Sequence, residues 1–140
     1  MVIAYEFSAA EYAEKLEPRV AVVGFGFYKP KMMSQEIATL GYLLGRTEEA
    51  YEFIDFYDGY LDIIQERVSE LPEEDKVRAY LEGNSELKAA GNGSGGNDLC
   101  KLAGGLNIAV GLLGTYPIID PEWVITEDPD IMVKSVNHGN

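Results

Sequence analysis

The apolar positions of this chain change their spacing several times, and each change marks a predicted element. Val2–Ile3–Ala4–Tyr5 is a short continuous apolar run and predicts a strand. Ser8 then precedes Ala9, Ala10, Glu11, Tyr12, Ala13, Glu14, Lys15 and Leu16, a helix with Ser8 as its expected cap and Pro18 beyond its end. Arg19–Val20–Ala21–Val22–Val23–Gly24–Phe25 has the unbroken apolar character of a fully buried parallel strand. Strand, helix and strand in such close succession predict a βαβ unit.

Phe27–Tyr28–Lys29–Pro30 forms the turn after that strand. A helix is expected from about Met32 to Leu44, with Ile37, Leu40, Leu43 and Leu44 on one face and Gly45 as its terminator. Thr47 is the expected cap of a second helix, with Glu48 and Glu49 in its electropositive first turn. Ala50, Phe53, Ile54, Tyr57, Leu61, Ile64 and Val68 come next at close to helical period, with Glu52, Asp55, Asp58, Asp62 and Glu66 mostly between them. Continued to about Glu70, that helix is roughly 35 Å long, enough to cross one small domain or to tie two together. Leu71–Pro72 stops it.

Val77–Arg78–Ala79–Tyr80–Leu81 is the next strand and leads into a polar, glycine-rich loop ending at Gly93–Ser94–Gly95–Gly96. Asn97 or Asp98 is expected to cap a helix through Leu99, Cys100, Leu102 and Ala103, closed by Gly104–Gly105. Asp120–Pro121–Glu122–Trp123 then opens a short capped helix, since Asp120 can accept from free N–H groups and Pro121 suits the first helical position. Pro129 is the stop, and Ile131–Met132–Val133 is expected to be a buried strand.

A chain of 140 residues with 46% hydrophobic and 11% aromatic content is that of a globular domain. A net charge of −13 argues against nucleic acid as a partner, because nothing here would release phosphate counterions. Its simplest effect is solubility. One cysteine, Cys100, permits no internal disulfide and is expected to be a buried structural thiol. Met1–Val2–Ile3–Ala4 has no basic start or long apolar run, so no signal peptide is expected in this sequence, and no segment has the length of a membrane span.

Candidate chemistry is sparse. Gly91–Asn92–Gly93–Ser94–Gly95–Gly96 before a helix invites a phosphate-loop reading, but it lacks a succeeding Gly-Lys-Ser/Thr. A ligand-facing loop that includes Ser94, or a long connector, remains. His138, the single histidine, lies in the terminal tail, and no nucleophile elbow, His/Cys cluster or EF-hand spacing occurs. The sequence points away from an enzyme, a metal centre and a cofactor. Tyr5, Phe27, Tyr28, Tyr80 and Tyr116 share a different property: each falls at or just beyond the C-terminal end of a predicted strand. Ligands of open α/β sheets bind outside those ends, and aromatic rings there suit a large flat ligand such as a porphyrin, corrin or catecholate complex.

Several of these segments together resemble the substrate-binding proteins of ABC importers for iron–siderophore complexes, haem and cobalamin. Arg19–Phe25 resembles the last strand of that class's N-terminal lobe. Glu36–Gly45 with Thr47–Ile54 after it is similar to the class's Leu-Gly-rich helix and the start of its long backbone helix, and Val77–Leu81 to its first C-lobe strand. Leu102–Ala103–Gly104–Gly105–Leu106–Asn107–Ile108–Ala109 resembles its Leu-Ala-Gly-Gly-x-Asn-x-Ala run. Pro121–Val124 and Asp128–Val133 resemble its closing helix–strand pair.

The resemblance implies an α/β fold made of parts of two Rossmann-like lobes joined by a long backbone helix. The end of the N-terminal lobe would occupy 1–30, the helices 31–75, and the first part of the C-terminal lobe 76–140. It implies capture of a metal chelate or tetrapyrrole outside the cytoplasm and delivery to an ABC permease, with Glu122 as the docking glutamate. Met1–Tyr5 resembles the strand after a Pro-Asp in the first lobe, just as Ile131–Ser135 comes after Pro129–Asp130. The chain would then span one pseudo-repeat of a truncated binding protein, without the lipid anchor that ties the class to a membrane. Uncovered half-lobes would favour a homodimer. The alternative is a stand-alone α/β interaction module without ligand, again as a homodimeric remnant.

Overall fold

A computed structural model describes residues 1–83 and 85–134; Asn84, His138 and the end of the Ile131–Ser135 segment lie outside the described residues. The chain divides into two units, Met1–Asp58 and Gly59–Asn140. It is α/β throughout, with short parallel strands, flanking helices and one long helix.

In the first unit, β1 (Val2–Tyr5) pairs in parallel with β2 (Val22–Phe25), Val2 opposite Val22 and Tyr5 opposite Phe25. The crossover between them is α1 (Glu6–Leu16), as a parallel pair requires. The helix begins directly after β1, so Tyr5 occupies the cap position and makes no side-chain cap bond. Ser8 therefore lies inside the first turn, not before it, and its hydroxyl donates to the Tyr5 carbonyl at 3.1 Å. The expected strand Arg19–Phe25 is shorter than its apolar run, because Pro18 and the turn after α1 occupy its start. Only Phe25 of it is buried, since a two-stranded sheet with one helix cannot enclose both faces.

A short 3-10 turn at Pro30–Met32 leads into α2 (Met33–Leu44). Gly45 ends α2 at φ 64°, a left-handed conformation that glycine adopts without a Cβ penalty. The long helix α3 (Thr47–Ser69) begins just after Arg46, and the division between the two units falls inside it. Ala50 is buried against Gly41 of α2.

The second unit is built on β3 (Arg78–Leu81), the central strand of a parallel sheet in the order β4-β3-β5, with β4 at Leu106–Asn107 and β5 at Ile131–Val133. Helices α4 (Gly95–Leu102) and α5 (Pro121–Glu127) are its crossover helices. Tyr80, Ala89, Ala109, Ile119 and Val124 form the core, with Ile108, Leu112 and Trp123 packed against it. Ser94 caps α4, in place of the expected Asn97 or Asp98: its Oγ accepts from the Asn97 N–H at 3.1 Å and donates to the Gly91 carbonyl at 2.8 Å.

Two polar devices fix the chain ends of this sheet. Asn107 is buried, and its Nδ2 donates to the Ala90 carbonyl at 2.7 Å and to Asn97 Oδ1 at 3.1 Å. Its Oδ1 accepts from the Ala109 N–H at 3.0 Å. One amide thus ties the glycine-rich loop, α4 and the segment after β4 together. Gly104 and Gly105 let that segment pass close by, since a Cβ on Gly104 would lie 3.0 Å from Val68 and one on Gly105 2.9 Å from the Cys100 sulfur.

At the other edge, Asp120 caps α5 through a 2.7 Å bond from the Trp123 N–H, and Asp128 closes it in a left-handed conformation. Asp130 Oδ2 accepts from the Arg78 N–H at 2.7 Å, while the Asp130 N–H donates to the Arg78 carbonyl at 2.9 Å. The Arg78 guanidinium reaches the Glu127 carbonyl at 2.6 Å and its carboxylate at 3.1 Å. The Pro-Asp dipeptide is the clip that starts β5 beside β3. The expected burial of β5 fails, however: Met132 is 65% exposed and Ile131 and Val133 are each 48% exposed. β5 is an edge strand with no second neighbour among the described residues.

Replacing Asn107 by Ala leaves a buried carbonyl, an amide oxygen and an N–H without their partner, and should lower stability by about 3 kcal/mol. Denaturant unfolding monitored by the fluorescence of Trp123, which reports this unit, measures the loss.

Candidate ligand-binding site

Two of the sequence-predicted aromatic residues, Tyr5 and Phe27, line one cavity in the first unit, and a third, Tyr28, is tied to the end of β1 through Glu6. β1 and β2 run side by side and end together, so Tyr5 and Phe27 arrive on one rim and line a cavity of about 240 Å³ with Ile3, Ala4 and Phe25. Phe25 and Phe27 stack at 4.8 Å between ring centroids, and Tyr5 stacks on Phe7 at 5.3 Å. Tyr28 follows Phe27 in the chain and has Lys29 above its ring, 5.2 Å from the centroid. Tyr5 is 59% exposed, and Tyr28 is exposed as well. The rim therefore offers flat apolar surface to solvent.

A polar cluster holds this rim in place. Glu6 Oε1 accepts from the Tyr28 hydroxyl at 2.6 Å and forms an ion pair with Lys29. The Gly26 N–H donates to Glu36 Oε1 at 2.7 Å, and Glu36 Oε2 is buried without a hydrogen-bond partner among the described residues. A Cβ on Gly26 would stand 2.8 Å from Glu6 Oε2, so glycine is what lets both carboxylates close on this turn. The turn is anchored further by the Tyr57 hydroxyl, which donates to the Pro30 carbonyl at 3.2 Å.

The Lys29 ammonium and the Tyr28 hydroxyl, in that order, hydrogen-bond the ionised Glu6 carboxylate and hold it below the usual carboxyl range. The same bond to Glu6 raises both Lys29 and Tyr28. Glu6, Lys29 and Glu36 did not stand out in the sequence. Glu6 shares the strand-end position that marked Tyr5 and could have been found by it; no local pattern marks Glu36, which comes from α2.

The remaining predicted residues belong to the second unit. Tyr80 is 5% exposed, a core residue whose ring borders a cavity of about 310 Å³ with Leu87, Ile125 and Met132. Burial pushes its hydroxyl up, with the nearby Glu82 adding to the effect. Ser94 is 1% exposed and its hydroxyl is committed to the α4 cap. Tyr116 is exposed, its ring lying against the backbone of Gly83. Glu122 is exposed in the first turn of α5.

The glycine-rich stretch is packed, not a free loop. Ala89, Ala90 and Gly91 are buried and the Gly91 N–H donates to the Thr115 carbonyl. Burial raises the Cys100 thiol, as for a structural cysteine. No group of three or more metal-ligating residues occurs among the described residues, and none of the helices there is long and apolar enough to cross a membrane.

The family model described as periplasmic binding protein matches residues 1–138. The chain belongs to the periplasmic binding protein family, which binds ligands without transforming them. A periplasmic solute binding protein from Veillonella parvula is 26% identical, with a TM-score of 0.76 over 99% of this chain and 42% of its own. The periplasmic vitamin B12 binding protein BtuF of Vibrio cholerae is 15% identical, with a TM-score of 0.76 over 93% of this chain and 51% of its own. IsdE of S. aureus, solved with heme, is 21% identical, with a TM-score of 0.71 over 94% of this chain and 51% of its own. The chain thus spans about half the length of these proteins or less. No curated protein sequence matches it.

The lowered Glu6 pKa sets a sign for acid behaviour. Its contribution to holding Tyr28 and Lys29 is complete above the ordinary glutamate value of 4.5 and is lost as pH falls through the lower folded value. In a side-chain NMR titration, Glu6 should protonate at lower pH than a free glutamate, and Lys29→Ala should move it back towards 4.5. A Glu6 titration unmoved by Lys29→Ala would show that the ion pair does not hold in solution.

Proposed function

We propose that this chain is part of the substrate-binding component of an ABC importer, and that its ligand is a metal chelate or tetrapyrrole: an iron–siderophore complex, haem or cobalamin. The observation that carries the reading is the group of aromatic residues Tyr5, Phe27 and Tyr28 at the carboxyl ends of two parallel strands, with Tyr5 and Tyr28 exposed and Phe27 half-buried, on a chain of the periplasmic binding protein family. Flat rings beside a polar Glu6–Lys29 pair suit a ligand with an extended π-system and charged substituents. Two structural neighbours, one a vitamin B12 binding protein and one solved with heme, support that ligand class.

In this reading 1–30 is the end of an N-terminal lobe, 31–75 carries the backbone helix, and 76–140 is the first part of a C-terminal lobe. Tyr116 and Tyr80 would be the aromatic residues of that C-terminal lobe on its ligand side. Ser94 would act there only through the loop it caps. Glu122, exposed at the start of α5, would dock on a basic patch of the permease. The full protein would work outside the cytoplasm and reach the membrane through its permease or a lipid anchor. A ligand-free interaction module is the second reading, favoured by the exposed apolar side chains of β5.

Titration of the chain with haem, cobalamin and a ferric catecholate, read by quenching of Trp123 and tyrosine fluorescence, separates the two. Saturable quenching by one ligand class is expected, weakened about tenfold, or ~1.4 kcal/mol, by Phe27→Ala or Tyr28→Ala. Glu122→Ala should leave that affinity unchanged while slowing uptake in a reconstituted transport assay. Binding that ignores both aromatic substitutions would sink the site, and no quenching by any of the three ligands would favour the interaction module.

A further inference from the structure

Charge divides the ligands that a flat aromatic surface can accept. The faces of Tyr5, Phe27 and Tyr28 carry the negative pole of the ring quadrupole, which attracts cations and repels anions at close range. One such contact is already made within the chain: the Lys29 ammonium stands 5.2 Å from the centroid of the Tyr28 ring.

Carboxylates give the same bias. Glu6 follows Tyr5 directly and is bonded to Tyr28, so it sits between two of the aromatic residues. Its Oε1 takes both the Tyr28 hydroxyl and the Lys29 ammonium. Lys29 is therefore engaged, and an incoming anion has to compete for it with a carboxylate fixed beside it. Glu36 brings a second carboxylate to the same turn. A Cβ on Gly26 would lie 2.8 Å from Glu6 Oε2 and 3.3 Å from Glu36 Oε1. Lys31 is the other cation of this segment, exposed in the turn Pro30–Met32. Elsewhere in the first unit Lys15 is paired with Glu11, and Arg46 with Glu49. The longer-range field has the same sign, since the chain carries a net −13.

From these features we infer that the aromatic group selects a neutral or cationic chelate and disfavours a polyanionic one. The selection rests on the reading of Tyr5, Phe27 and Tyr28 as a ligand surface, and it narrows that reading by charge. An amide-substituted corrin or a hydroxamate complex meets the requirement. A ferric catecholate, whose oxygens leave the complex with excess negative charge, does not. Glu6 is the residue that sets the preference locally: it neutralises the ammonium an anion would use and presents a carboxylate to a cation.

The test uses two flat rings of one size and opposite charge on the 140-residue chain. These are the tetracationic tetrakis(N-methylpyridyl)porphyrin and the tetraanionic tetrakis(sulfonatophenyl)porphyrin, titrated at neutral pH and read by the shift of the porphyrin absorbance. Salt at about 0.15 M shortens the reach of distant charges to roughly 8 Å and leaves the near ones in play. The cationic ring should bind at least about tenfold more tightly than the anionic one, and Phe27→Ala should weaken it about tenfold. Glu6→Gln keeps an acceptor for Tyr28 and Lys29 but removes the charge, and should narrow the preference at least about threefold. Lys29→Gln leaves Glu6 unneutralised and should widen it by a similar factor. A fold perturbation would not move the two variants in opposite directions, and circular dichroism checks that both stay folded. Glu48→Gln removes an equal charge from the exposed first turn of α3, roughly 13 Å along the helix from Tyr57, and should leave the preference as it was. An anionic ring bound as tightly as the cationic one, or equal effects of Glu6→Gln and Glu48→Gln, would overturn the charge selection and leave the aromatic surface standing. Binding of neither ring, or binding indifferent to Phe27→Ala, would overturn the surface itself and the selection with it.

Discussion

A parallel sheet needs its helices, because no two-residue hairpin can join parallel strands and each face must be shielded from water. Every feature of this chain answers to that requirement. All strand pairs within the sheets of the described residues are parallel, so β1, β3 and β4 each lead into a crossover that carries a helix. All strands of one sheet then end on the same rim, and that rim is where side chains can face a ligand without breaking the sheet. Where coverage stops, at β5 and β1, apolar side chains are left in water.

Within that constraint, a few polar groups do the positioning. Asn107 replaces hydrogen bonds that a continuous ladder would have supplied, satisfying groups on three segments that have no other common partner. Asp130 does the same at the opposite edge, taking the first N–H of β3. In the first unit Glu6 and Glu36 perform the equivalent task at the ends of β1 and β2. In each case a short polar side chain at a strand end replaces a neighbour that a longer strand would have had. The buried bonds of Asn107 and the part-buried bond of Glu36 are costly to leave unmade, which makes them stronger determinants of local structure than the exposed ion pairs of Lys15 with Glu11 or Arg46 with Glu49.

How much was legible in the sequence depended on whether the signal was local. Gly45, Asp120 and Pro121 act through backbone geometry within a few residues, and α2, α3 and α5 begin or end close to where those residues predict. Ser8 misled because β1 passes into α1 without a loop, leaving no room for a cap residue outside the helix. Ser94 outcompeted Asn97 as a cap because Asn97 is drawn inward to Asn107. The apolar run Ile131–Met132–Val133 indicated a strand correctly, but burial is a property of neighbours, and β5 has only one among the described residues. Among the candidate residues, the placement of Tyr5, Phe27 and Tyr28 at or just after strand ends was readable from the sequence. Glu36 was not, because its bond to Gly26 depends on where α2 packs.

The sequence by itself determined the α/β class, the long acidic helix, the capped helix and Pro-Asp strand near the end, and the likeness to siderophore, haem and cobalamin binding proteins. These rest on periodicity, turn chemistry and motif order, all of which operate over short stretches of chain. Only the tertiary structure decided which strands pair, and that Tyr80 and Ser94 are buried while Tyr5 and Tyr28 are exposed. Those outcomes depend on contacts between residues far apart in the chain, whose free energy is set by packing and desolvation and leaves no mark on local spacing.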